Sequence, residues 1–109
     1  MKSLRDPQRP PTHPGAILRE DVLPALRITQ TEFARLLGVS RLTVSELVNE
    51  KRAMSPSMAV RLEILLNTSA ETWLKMQQSR DLWEARREST GIAVKPLPAR
   101  YLAALDMQE

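Results

Sequence analysis

The sequence predicts an all-α fold of five helices in one domain. Apolar residues recur at helical spacing, hydroxyl residues stand where helices begin, and Gly38, Pro24 and Gly91 fall where they end. The 109 residues are enough for one modest core, burying somewhat over about 60% of the unfolded surface. With 42% apolar and 27% charged residues the composition is globular, and no internal repeat is present.

Residues 1–12 carry Pro7, Pro10, Pro11, Lys2, Arg5 and Arg9 without apolar periodicity, which predicts a flexible basic arm rather than a signal peptide. A helix-turn domain is expected over 13–90. Pro14 suits a first helical turn capped by Thr12 or His13, and Ile17, Leu18 and Val22 point to a core until Pro24 stops or bends the helix. Thr29 and Glu32 form a capping box for a second helix with Phe33, Ala34 and Leu37 inward, ended by Gly38. Ser40 caps a third helix from Arg41 to about Asn49. Ser55–Pro56 opens a fourth, with Ala59, Leu62 and Leu66 inward, and Thr68 with Glu71 opens a long fifth helix to about Glu88. Residues 91–109 form a short C-terminal tail, extended near Ile92, Val94 and Leu97, with a last helical turn or two around Tyr101, Leu102 and Leu105. That tail is a candidate dimer or partner contact.

The second and third helices are joined by only Gly38 and Val39, too short for antiparallel packing, so they must cross steeply. At about 100° per residue, Val44, Leu47 and Val48 share one arc while Arg41, Leu42, Ser45, Glu46 and Asn49 occupy the rest. Ala34, Gly38, Val44 and Leu47 give small residue, glycine, and two apolar wedge residues at the spacing of a helix-turn-helix. A helical hairpin with a tight turn is the alternative.

Such a helix fits the major groove of double-stranded DNA, where base edges differ in donors and acceptors. Arg41 is suited to guanine, Glu46 to a cytosine amino group and Leu42 to a thymine methyl, while Thr43 and Ser45 serve bases or backbone. Thr29, Gln30 and the free N–H groups beside them are candidates for a phosphate, and Asn49, Lys51 and Arg52 for the neighbouring phosphates. Glu50 opposes those clamps mildly. A net charge of +3 and a pI of 9.8 are compatible with this partner without specifying it.

On the fifth helix, Trp73, Met76 and Trp83 lie on one arc and Leu74, Leu82 and Ala85 on the opposite one. Two apolar stripes predict a helix lying between its own core and something else, with homodimerisation leading and a folded-back tail as the alternative. His13 is the single histidine and cysteine is absent, so one chain assembles no histidine- or thiolate-based metal site, no His-dependent triad and no disulfide. No nucleophile–base pair or glycine-rich phosphate loop stands out; no enzyme, metal or cofactor is expected. No run approaches a membrane span, and the lack of cysteine fits a cytoplasmic protein.

The stretch from "HPGAILREDVL" through "SRLTVSELVNEKR", "SPSMAVRL" and "TSAETWLKMQ" to "DLW", His13 to Trp83, resembles HigA-type antitoxins, the VapI-like branch of the Xre/Cro helix-turn-helix group. The resemblance implies a lambda-repressor-like domain that dimerises on a palindromic operator in its own promoter. It also implies a small ribonuclease partner, a HigB-like toxin that cleaves messenger RNA on the ribosome. By resemblance, the reading residues fall on Arg41, Leu42, Thr43, Ser45 and Glu46, and the phosphate contacts on Gln30, Asn49 and Lys51. The family often has a polar residue at Leu42, arginine at Glu46 and glycine at Glu50, so the operator is not implied. A repressor without a toxin, or an adaptor that no longer reads DNA, are the other readings; Leu42, Glu46 and Glu50 motivate the second.

Overall fold

The computed structural model describes residues 8–106, and every regular element among them is helical. The expectations for residues 1–7 and 107–109 lie outside the described residues. The first rod comprises α1 (Pro14–Ile17), a π-helical turn (Leu18–Val22) and α2 (Leu23–Leu26) without a break. It is followed by α3 (Gln30–Leu37), α4 (Arg41–Val48), α5 (Pro56–Leu66) and α6 (Ala70–Glu88). A 3-10 turn (Ser89–Gly91) and α7 (Ala99–Asp106) complete the chain. The five expected helices are all present, and α7 is the last helical turn or two expected around Tyr101, Leu102 and Leu105.

Local chemistry explains most helix starts. His13 caps the rod: its Nδ1 accepts the Gly15 N–H at 2.9 Å, and Pro14 fills the first position, where no N–H is needed. Thr29, Ser40 and Ser55 accept the N–H of Glu32, Thr43 and Met58 respectively, each at 3.1 Å. The reciprocal half of the Thr29 capping box is not made, because the Glu32 carboxylate pairs with Arg35 instead.

Two local expectations are corrected. Of the stop or bend expected at Pro24, the stop is not made: the helix runs through it to Leu26. A regular helix would drive its ring into the carbonyl four residues back; the wider π turn makes room, and the rod ends at left-handed Arg27, φ 56°. Nor does Thr68 cap α6. Ser69 does, accepting from the Thr72 N–H at 3.3 Å, because the Trp73 indole N–H claims the Thr68 hydroxyl at 2.8 Å.

The core draws on all five principal helices, with Leu18, Phe33, Val44, Leu47, Ala59 and Leu62 almost wholly enclosed. Gly15 lies against the backbone at the end of α4. A Cβ there would stand 1.8 Å from the Leu47 carbonyl oxygen, so only glycine lets the rod lie against the end of α4. Gln77, buried within α6, accepts the Met54 N–H at 2.7 Å and donates to Asp81 at 2.9 Å, which satisfies the backbone of the α4–α5 connection. Residues 91–106 are exposed throughout. The tail does not bury its apolar residues against the body: Tyr101 and Leu102 keep 49% and 45% of their surface.

Candidate nucleic-acid interface

The α3–α4 corner has the geometry its sequence predicts. Gly38 is left-handed at φ 73°, and the Val39 N–H returns to the Ala34 carbonyl at 3.1 Å, which closes α3 and turns the chain sharply. Ala34, Val44 and Leu47 fill the wedge, exposed by 3%, 1% and 1%. Arg61 of α5 donates to the Leu37 carbonyl at 2.7 Å and braces the corner from outside, a contact no local pattern announces.

On the far side of α4, Arg41, Leu42 and Asn49 are exposed, and Thr43, Ser45 and Glu46 are half-buried. Leu42 keeps 66% of its surface. The Thr43 and Ser40 hydroxyls lie 2.9 Å apart, so Thr43 is tied to the helix cap at the base of the face. Asn49 Nδ2 reaches Ser45 Oγ at 3.4 Å, a long contact that leaves both side chains available. Thr29 and Gln30 stand at the N-terminus of α3, with the Thr29 hydroxyl engaged as cap acceptor. Glu32, in the same first turn, has its pKa lowered by its hydrogen bonds from Arg35. Lys51 is exposed just beyond α4, its N–H held by the Glu46 carbonyl at 2.8 Å.

Two expectations change, for Glu50 and Trp73. Glu50 does not oppose the clamps; it turns inward, receiving Arg19 at 3.1 Å and Arg80 at 3.6 Å. It adopts a left-handed conformation, φ 61°, that favours glycine, and the two guanidinium groups hold it there. Arg19 also donates to the Val48 carbonyl at 2.6 Å, and Arg80 to the Pro11 carbonyl at 2.9 Å. The end of α4 is thereby tied to the first rod, to α6 and to buried Pro11, a residue of the stretch expected as an arm. Arg52, expected on a phosphate, pairs with Glu46 at 2.6 Å in the DNA-free chain. Trp73, expected at a dimer contact, is core, with 4% of its surface exposed. Leu74 and Met76 pack half-buried against that core, whereas Leu82 is 42% exposed and Trp83 is half-buried under the Arg87 guanidinium at 4.7 Å.

The sequence matches the helix-turn-helix family over residues 18–73, which takes in the rod from its π turn, the corner, α4, α5 and the start of α6. It is 35% identical over 96 residues to antitoxin HigA-1 of Vibrio cholerae, covering 86% of this chain and 90% of that protein. The chain belongs to the HigA-type antitoxins of the Xre helix-turn-helix family. It is also 40% identical over 81 residues to the uncharacterized HTH-type transcriptional regulator YbaQ of Escherichia coli K12, covering 74% of this chain and 72% of that one. Among solved structures, the Pseudomonas aeruginosa antitoxin HigA with higBA promoter superposes with a TM-score of 0.71 at 36% identity, over 81% of this chain and 99% of that one. The outward side of α4 combines one arginine, Arg41, one large aliphatic residue, Leu42, and one carboxylate, Glu46, paired with Arg52.

Proposed function

We propose that this protein is the antitoxin of a type II toxin–antitoxin pair. It binds a palindromic operator in its own promoter as a homodimer, represses its operon and silences a HigB-like ribonuclease toxin. The observation that carries this reading is the exposed polar side of α4, held out from a tight corner on a chain that spans 90% of a named antitoxin. Arg41 in the first turn takes a guanine, Leu42 a thymine methyl, and Thr43, Ser45 and Glu46 complete the reading set. The α3 N-terminus at Thr29 and Gln30, with Asn49 and Lys51, grips the flanking phosphates.

Two copies reading half-sites about 34–36 Å apart multiply a discrimination that one helix provides weakly. Leu82, Trp83 and the tail from residue 91 are the surfaces for the second copy or the toxin. No described helix is long and apolar enough to cross a membrane. The reading places the protein in the cytoplasm, without catalysis or cofactor of its own. YbaQ is described as a transcriptional regulator, and one other reading stands beside this one, a repressor with no toxin. The third, an adaptor, loses part of its motivation because Glu50 faces inward.

Arg41→Ala should weaken binding to the protein's own promoter by about 1–3 kcal/mol and leave a random duplex nearly unaffected. Fluorescence anisotropy on both duplexes measures this, and equal loss on the two would remove Arg41 from base reading. Pull-down from the native host should return a small bound toxin; a chain recovered alone with promoter binding intact would favour the free-standing repressor.

A further inference from the structure

Arg52 lies four residues beyond α4, yet its Nε and Nη2 reach the Glu46 carboxylate at 3.2 and 2.6 Å. Both contacts converge on Oε1. This arrangement needs the chain to reverse after α4, and left-handed Glu50 makes that reversal. Glu50 is held in turn by Arg19 and Arg80, so the guanidinium is folded back over the reading helix by a built geometry and not by chance. The pair is half in solvent, at 36% for Glu46 and 47% for Arg52, on the side of α4 that carries Leu42 and Asn49.

A lone carboxylate on a DNA-facing helix would be repelled by every nearby phosphate. A guanidinium at hydrogen-bond distance cancels that charge and fixes the carboxylate's orientation. With Oε1 occupied, Oε2 can accept from a base amino group while the pair stays intact, and cytosine N4 is the amino group a carboxylate reads in the major groove. An arginine spent on a carboxylate displaces no counterion from DNA.

We propose that Arg52 is a positioning residue for base reading and not a phosphate clamp: with Glu46 it forms one neutral unit that reads a cytosine amino group. The inference rests on the DNA-binding reading above. It separates Arg52 from Lys51, its neighbour in sequence, by function.

The test is a salt series, by fluorescence anisotropy, with the full chain on its own promoter and on a random duplex of equal length. The variants are Lys51→Ala, Arg52→Ala, Glu46→Ala and the Glu46→Ala/Arg52→Ala double. On random DNA, Lys51→Ala should lower the salt slope by about 0.9 for each copy bound, while the Glu46→Ala/Arg52→Ala double, which removes both charges of the pair, leaves it unchanged. Glu46→Ala should raise the slope by about the same amount, because Arg52 is released to a phosphate, and removing Arg52 from that background should reverse the rise. The preference for promoter over random DNA should fall about tenfold in either single variant and no further in the double. The Glu46→Ala/Arg52→Ala double lowering the slope as Lys51→Ala does, or losses of preference that multiply in the double, would overturn the proposal with DNA binding intact. A wild-type chain with no salt-dependent DNA binding would overturn the DNA-binding reading itself, and this inference with it.

Discussion

Gly15→Ala tests whether the first rod is seated against α4 by backbone contact. The added Cβ would lie 1.8 Å from the Leu47 carbonyl oxygen and 2.9 Å from its carbon, with His13 Nδ1 at 3.1 Å on the other side. Ordinary contact needs more than 3 Å, and the neighbour is backbone, which has no rotamer to change. The rod must therefore back away by more than about 1 Å, at the upper end of overpacking costs, about 3 kcal/mol. Alanine's better helix propensity returns at most about 1 kcal/mol, leaving a net loss of about 2 kcal/mol. At roughly 4–8 °C per kcal/mol for a domain of this size, the melting temperature should fall by about 8–16 °C. Thermal denaturation followed by circular dichroism reads this directly. Gly91→Ala is the control, because nothing lies within 4 Å of a Cβ there. A Gly15→Ala protein melting at or above the parent temperature would refute the seating of the rod on α4.

Three further outcomes follow from contacts around that seat. Glu50→Gly should be more stable than Glu50→Ala by about 1 kcal/mol in urea, because both lose the arginine pairs but only glycine removes the strain of φ 61°; equal stabilities would show the strain to be absent. Gln77→Leu should lower stability by about 1–3 kcal/mol, since the buried Met54 N–H loses its acceptor, and a urea midpoint equal to the parent's would contradict that. Burial lowers the His13 pKa from its ordinary 6.5, more than the nearby Glu50 carboxylate raises it, so the unfolded chain takes up this proton first. The His13 contribution is therefore complete above about pH 6.5 and lost as pH falls through the lower folded value; His13→Asn, which keeps a cap acceptor, should remove that part of the pH dependence in denaturation curves.

The helix starts at Thr29, Ser40 and Ser55, the left-handed Gly38 and the buried arc of Val44, Leu47 and Val48 were legible in the amino-acid order. Each depends on residues within a turn or two of one another, where backbone geometry leaves few choices. The same locality made the corner legible, and with it the exposed side of α4. Where two neighbours compete, local reasoning runs out: Thr68 and Ser69 are both good caps, and a tryptophan indole five residues from Thr68 decides between them.

The charged residues near the end of α4 were beyond reach for a different reason. Glu50, Lys51 and Arg52 look alike as a mixed-charge run, yet Glu50 turns inward, Lys51 stays exposed and Arg52 folds back on Glu46. Arg19 and Arg80, dozens of residues away, hold Glu50 inward, and no spacing rule links positions brought together by packing. Trp73 and Leu82 likewise share one amphipathic helix, and their separate fates depend on which face the other helices cover. Helices and their caps are encoded by neighbours in the chain, whereas the work of each exposed charge is assigned by neighbours in space.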